Sequence, residues 1–231
     1  MKLVVVSAGL SVPSSTRLLA DRLAAVAAPA ATAPEPAPAD VRVVELRDLA
    51  VEIAHTFTNG FPAPALADAF AEVAAADGLI VVTPVFSASY SGLFKSFFDA
   101  LSVTDEDALT GKPVLIAATG GTARHSLVLE YALRPLFAYL KGVVVPTGVY
   151  AASEDWGAEG LDARIERAGT ELAALMAGAA GPAGSSTRRP QPKRDSFDEV
   201  TPFAQRLASL GVPGTVGPPP AGPHGPLHRI G

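Results

Sequence analysis

Residues 78–101, GLIVVTPVFSASYSGLFKSFFDAL, run from a wholly apolar stretch, through a loop of small hydroxyls and aromatic groups, straight into a helix. Gly78–Thr83, GLIVVT, is continuous and rich in β-branched residues, which predicts a strand buried on both faces. Gly92–Leu101 is the predicted helix, with Lys95, Phe97, Phe98 and Leu101 as packing or subunit contacts. A strand-to-helix connection needs only about two to six residues. The segment between them, PVFSASYS, offers apolar faces and hydrogen-bonding groups where a short polar turn would suffice.

The rest of the chain repeats the strand-then-helix pattern. Lys2–Ser7 reads as a first buried strand, Val41–Leu46 as a second, Pro113–Ala118 as a fourth and Gly142–Pro146 as a fifth. Between them lie predicted helices at Arg17–Ala27, with Leu18, Leu19, Leu23 and Val26 at helical spacing, and at Leu66–Ala76, with Phe70 and Val73. Ser126–Leu140 is a long apolar helix kinked by Pro135, and Leu161–Ala177 a last amphipathic one. APAATAPEPAPAD, residues 28–40, is a connector whose prolines forbid a regular helix. Alternation of this kind predicts an α/β, flavodoxin-like, doubly wound sheet of five parallel strands in the order 2-1-3-4-5. Ligands of such sheets bind beyond the carboxyl ends of the strands, where the order reverses.

Charge divides the chain unevenly. Residues 1–178 hold 12 Lys/Arg against 20 Asp/Glu, and residues 179–231 hold 6 against 3. An acidic body argues against a nucleic-acid surface. The basic run Arg188–Arg194 reads as a solvated tether. There is no cysteine, which removes disulfides, thiolate nucleophiles and Cys-ligated metal sites, and no metal site is predicted. MKLVVVSAGL has too short an apolar run for a signal peptide, and no stretch approaches the roughly 18 apolar residues of a membrane helix. The expectation is a soluble, cytoplasmic protein without nucleic-acid or membrane partners. Residues 1–178 form the predicted domain. Residues 179–231 comprise a linker, a short helix at about 198–210 capped by Thr201 and Pro202, and a disordered tail.

Three strand exits are chemically unusual, and the predicted order makes them neighbours. The first, Ser7 to Thr16, is SAGLSVPSST opening into a helix. Small residues let backbone N–H groups approach an anion, the hydroxyls of Ser14, Ser15 and Thr16 donate to it, and the helix start adds partial positive charge. Ordinary capping by Ser14 or Ser15 accounts for one hydroxyl and leaves the cluster unexplained. The loop matches neither GxxxxGK[ST] nor GxGxxG. In the second, Pro84 stiffens the turn out of the strand, and Val85, Phe86 and Tyr90 offer apolar faces while Ser87, Ser89 and backbone N–H groups near Ala88–Tyr90 offer hydrogen bonds, the pairing a flat amphipathic heterocycle needs. Phe86 and Tyr90 taken singly also suit core packing. In the third, Thr119, Gly120, Gly121 and Thr122 let the backbone approach a ligand edge. Arg124 there suits a phosphate or carboxylate, and His125 either a ligand carbonyl or the cap of the next helix.

Together these three segments, with TPVFSASYSGLFKSFFDAL and ATGGTARHSLVLEYALRPLFAYL, resemble the NADPH-dependent FMN reductases over about residues 1–175. The likeness is greatest to the two-component type that supplies reduced flavin to separate flavin-dependent monooxygenases. It implies FMN and NADPH, with NADH possible, as cofactors, a homodimer or homotetramer, and hydride transfer from nicotinamide to flavin N5 without a catalytic side chain. By the same resemblance Ser14–Thr16 hold the FMN phosphate, Pro84–Tyr90 line the isoalloxazine and Thr119–Gly121 approach its pyrimidine edge. Many members carry an arginine where this chain has Ser11, which implies either a weaker phosphate site or substitution by Arg17. Arg124 and Arg17 are the candidates for the NADPH phosphates. The alternatives are a quinone or azo reductase that keeps its FMN, and a non-enzymatic flavodoxin-like electron carrier.

Overall fold

A computed structural model describes residues 1–28, 40–158 and 160–179. The predicted tether and tail helix lie outside the described residues. At the centre is β1 (Lys2–Ser7), paired in parallel with β2 (Asp40–Glu45) on one side and β3 (Gly78–Phe86) on the other. Ser7 lies opposite Glu45 and Val82, so β1 and β2 end at one level while β3 runs on to Phe86. Next to β3 runs β5 (Pro113–Gly120), with Thr119 opposite Pro84. The sheet order is therefore β2-β1-β3-β5 and then the fifth strand, the predicted flavodoxin-like arrangement once the small hairpin strand β4 (Ser89–Tyr90) is set aside.

The buried strand sequences alternate between two helical layers. Leu3 and Val5 face α1 (Ser15–Ala27) and α6 (Leu161–Ala179). Val4 and Val6 face the layer that contains α2 (Ala50–Asn59), α3 (Pro64–Ala74), α4 (Gly92–Thr104) and α5 (Arg134–Tyr139). That second layer is filled by Phe70, Phe94, Phe97, Phe98 and Phe137, packed edge to face or tilted at 4.9–6.1 Å between centroids. Offset and edge-on pairs of this kind add directional stabilisation to the apolar area they bury. Phe97, Phe98 and Leu101 are thus core residues of α4, while Lys95 pairs with Asp99 one turn on.

Three elements depart from expectation. α2 is an additional helix, entered through a tight turn at Leu46–Leu49 and closed by Gly60 in the left-handed conformation (φ 78°). The fifth strand is split into β6 (Val143–Val144) beside Pro113–Val114 and β7 (Val149–Ala152) beside Ala117–Gly120. Pro146 has no N–H to offer the ladder. Arg134 bridges the break by donating to the carbonyls of Val145 and Pro146, both at 3.0 Å. Glu171 accepts from Thr147 N (2.7 Å) and Thr147 Oγ1 (2.8 Å). The long helix expected at Ser126–Leu140 is also resolved into parts. A wide π-helical turn at Leu129–Leu133 precedes α5, which begins at Arg134 with Pro135 in its first turn.

Candidate active site

The exits of β1, β3 and β5 meet around one cleft of about 330 Å3, within the roughly 300–1,000 Å3 typical of small-molecule sites. Ser11, Ser14, Ser15 and Thr16 form one wall, Pro84, Val85 and Phe86 another, and Thr119, Gly120 and Gly121 a third. Leu10 and Ser153 complete it. No acid, base or other titratable side chain lines this cleft among the described residues.

The first wall is set by the start of α1. Ser14 is extended (φ −121°, ψ 121°) and caps the helix, its Oγ accepting from Arg17 N at 3.2 Å. Gly9 lies directly behind it: a Cβ there would stand 2.1 Å from Ser14 Oγ and 3.2 Å from Thr16 Cβ. Absence of a side chain at Gly9 is what lets the chain fold back against its own cap. Ser15 is exposed at the helix start, whereas Thr16 is 3% exposed. Ser7 is fully buried at the end of β1, and its Oγ has no hydrogen-bond partner among the described residues.

The second wall is a hairpin. β3 continues past Pro84 to Phe86, turns through Ser87 and Ala88, and returns as β4, with Phe86 opposite Ser89 and Val85 opposite Tyr90. Ser87 (φ 49°) and Ala88 (φ 65°) both occupy the left-handed region, as a two-residue type I′ hairpin turn demands. Asn and Gly usually meet that demand, so this turn holds strain. Ser91 then starts α4, its Oγ accepting from Phe94 N (3.2 Å) while its own N–H donates to Thr83 Oγ1 (3.0 Å). Tyr90 packs on Phe94 at 6.0 Å and so belongs to the hairpin's base; Phe86 stays 47% exposed on the cleft wall. Ala88→Gly is expected to stabilise the protein by about 0.5–1 kcal/mol, since relief of the left-handed penalty outweighs the added chain entropy. A raised urea midpoint at unchanged slope is the measurement.

The third wall is tied to the first. Thr16 Oγ1 and Thr119 Oγ1 share a buried hydrogen bond of 2.8 Å between residues 103 apart in sequence. Beyond it, the backbone of Gly120 passes against Tyr150 of β7: a Cβ on Gly120 would fall 2.1 Å from the tyrosine oxygen. That hydroxyl donates to the Thr122 carbonyl at 2.7 Å. Burial, then the carboxylates of Asp155 and Glu154, push the Tyr150 phenol above its usual range, so it stays a donor. Gly121 faces open space. Thr122, Arg124 and His125 follow in an exposed or half-exposed tight turn beyond the cleft wall. Ser87, Ala88, Ser89 and Tyr90 likewise lie past the wall formed by Pro84–Phe86.

Arg17 is committed elsewhere. It donates Nε–H to Asp21 (2.7 Å) and Nη1–H to Glu45 (2.5 Å), and these bonds, Asp21's first, hold the guanidinium above its usual pKa. Two lining residues, and an arginine that touches the lining, escaped the sequence reading. Leu10 has no chemical signature. Ser153 follows a strand that the apolar pattern had ended at Pro146. Arg47, in the turn after β2, donates to the Ser11 carbonyl at 3.3 Å.

Comparison with known proteins identifies the family. Residues 1–157 match the family model described as NADPH-dependent FMN reductase. An FMN reductase (NADPH) of Pseudomonas aeruginosa is 40% identical over 182 residues, 77% of this chain and 93% of the relative. An NADH-dependent FMN reductase of Pseudomonas fluorescens is 38% identical over 76% of this chain and 92% of the relative. A solved oxidoreductase from Corynebacterium diphtheriae is 49% identical, with a TM-score of 0.71 over 77% of this chain and 97% of that one. A match across more than half the chain, with relatives of that kind aligned along nearly their whole length, places this protein in the NADPH-dependent FMN reductase family.

Proposed function

We propose that the protein is an NAD(P)H:FMN oxidoreductase that binds FMN in this cleft, phosphate toward Ser14–Thr16 and ring between Val85–Phe86 and Gly120–Gly121. The observation that carries the reading is the two-ended chemistry of a single cleft. Hydroxyls at a helix start suit a phosphate ester, and an apolar hairpin facing a glycine-flanked backbone suits a flat ring. The residues present fit the group: Gly121 faces open space, Gly9 and Gly120 let Ser14 and Tyr150 pack directly against the backbone that shapes the walls, and Ser7 Oγ is buried without a partner among the described residues. Hydride acceptance from a stacked nicotinamide is chemistry that the flavin itself supplies when bound.

The chain's own part is position and polarity. Ser14, Ser15 and Thr16 hold the phosphate. Val85 and Phe86 give the ring an apolar platform, and the backbone at Gly120–Gly121 offers donors to the side of the ring that gains negative charge on reduction. Tyr150, kept protonated, fixes the curvature of that backbone through Thr122. With no titratable group on the wall, no general acid or base is assigned.

Relatives carry both NADPH- and NADH-dependent names, so both nucleotides are assigned as donors. We further infer that reduced FMN leaves for a separate monooxygenase, that the protein works in the cytoplasm as a homo-oligomer, and that residues 1–178 suffice for catalysis. The lack, among the described residues, of any helix long and apolar enough to cross a membrane is compatible with this. The test is NAD(P)H oxidation with free FMN as the varied substrate and no quinone present, on the full chain and on a version ending at Gly178. Steady turnover by both, saturating in FMN, is the expected result. Turnover that needs a quinone while flavin stays protein-bound would assign the electrons to that acceptor instead.

A further inference from the structure

A phosphate ester carries two negative charges into a protein whose described body is acidic, and hydroxyls alone do not neutralise it. Charge-assisted bonds to guanidinium groups are the strong and geometrically specific contacts to such groups. Two arginines stand beside the first loop. Arg17, inside α1, is charge-paired with both Asp21 and Glu45, and the triad as a whole carries net negative charge. Arg47 is placed differently. It arrives from the exit of β2, whose last residue Glu45 lies opposite Ser7 at the end of β1. Its Nη1–H reaches the carbonyl of Ser11, a residue of the cleft wall. Its one ion pair among the described residues is with the adjacent Asp48, 3.4 Å from Nε, and that carboxylate is 69% exposed. The long contact to Ser11 engages one Nη1–H and, with Nε facing Asp48, leaves the other Nη N–H groups without a partner among the described residues.

We propose that Arg47 is a phosphate-binding residue of this cleft, delivered by a fourth strand exit and steadied on the Ser11 carbonyl. The proposal rests on the FMN reading above. Ser11 Oγ in turn donates to the Pro13 carbonyl at 2.9 Å, so the guanidinium docks on a loop that is already internally braced. The phosphate of FMN is favoured over that of NADPH because Arg47 bonds the same loop whose hydroxyls face the cleft.

The test is titration of the full chain with FMN and with riboflavin, followed by quenching of flavin fluorescence, for the wild type, Arg47→Met and Arg47→Lys. Loss of one charge-assisted bond is expected to weaken FMN binding about tenfold or more in Arg47→Met, with riboflavin changed less than about twofold. Salt dependence of FMN binding should flatten in the same variant, and lysine should restore part of the loss. Equal losses for both flavins would show that Arg47 only props the loop, and overturn the proposal. So would unchanged FMN binding, or an effect confined to the ratio of NADPH to NADH efficiency. A wild-type protein that binds neither flavin would instead overturn the functional reading beneath it.

Discussion

Gly120→Ala is expected to lose about 1–3 kcal/mol of stability and to weaken FMN binding by at least about an order of magnitude, the scale of an overpacked site. The added methyl would stand 2.1 Å from the Tyr150 oxygen and 3.1 Å from its ring carbon Cζ. Tyr150 is only 6% exposed and has little room to retreat. If the tyrosine moves, it breaks the 2.7 Å bond to Thr122 and releases the loop. If the loop moves, it narrows the cleft whose wall it forms. Either relaxation reaches the proposed flavin site. Tyr150→Phe alone removes one part-buried hydrogen bond, worth about 1 kcal/mol. In the Gly120→Ala background it should act in the opposite sense, because the nearest collision recedes to 3.1 Å. Urea unfolding and flavin titration of the four proteins form a double-mutant cycle. Strictly additive losses would show that the steric conflict is not where the damage arises.

The features that were legible in the amino-acid order are those governed by local composition. β1, β3 and β5 are buried on both faces, so their apolar runs marked them without reference to any partner. The three exits were legible for a related reason: hydroxyls, aromatics and paired glycines are unusual where a short turn would suffice. Departures arose where tertiary context decides. α2 buries only Ile53 and Thr56 and leaves Val51 and Phe57 exposed, too thin a stripe to announce a helix. The Ser87–Ala88 turn lacks the Asn-Gly signature of its conformation, and only the pairing of Val85 with Tyr90 requires it. Arg17 is instructive because its fate was half visible. Asp21 sits one helical turn ahead, where such pairs form. Glu45 comes from a strand 28 residues away and left no trace in the spacing. Arg47 follows β2 and Ser153 follows β7, so strand pairing brings each toward the cleft and no motif names them.

The same logic makes Gly9 the most sensitive position of the proposed phosphate end. Gly9→Ala is expected to weaken FMN binding by roughly 10- to 100-fold and to destabilise the protein by about 1–2 kcal/mol, combining a lost cap with a displaced ligand donor. The methyl group would lie 2.1 Å from Ser14 Oγ, so the hydroxyl must swing away from Arg17 N and from the cleft at once. Ser14→Ala deletes that hydroxyl directly, and should reproduce most of both effects. The double variant separates cause from coincidence. With Oγ gone, the next contacts of the new methyl are Ser14 Cβ at 3.1 Å and Thr16 Cβ at 3.2 Å, tight but absorbable by small shifts. Gly9→Ala/Ser14→Ala should therefore be no worse than the more damaged single variant, in both flavin titration and thermal unfolding. Losses that sum would mean that Gly9 acts through its backbone, with Ser14 a separate contributor, and the hydroxyl would no longer be the link between helix start and ligand.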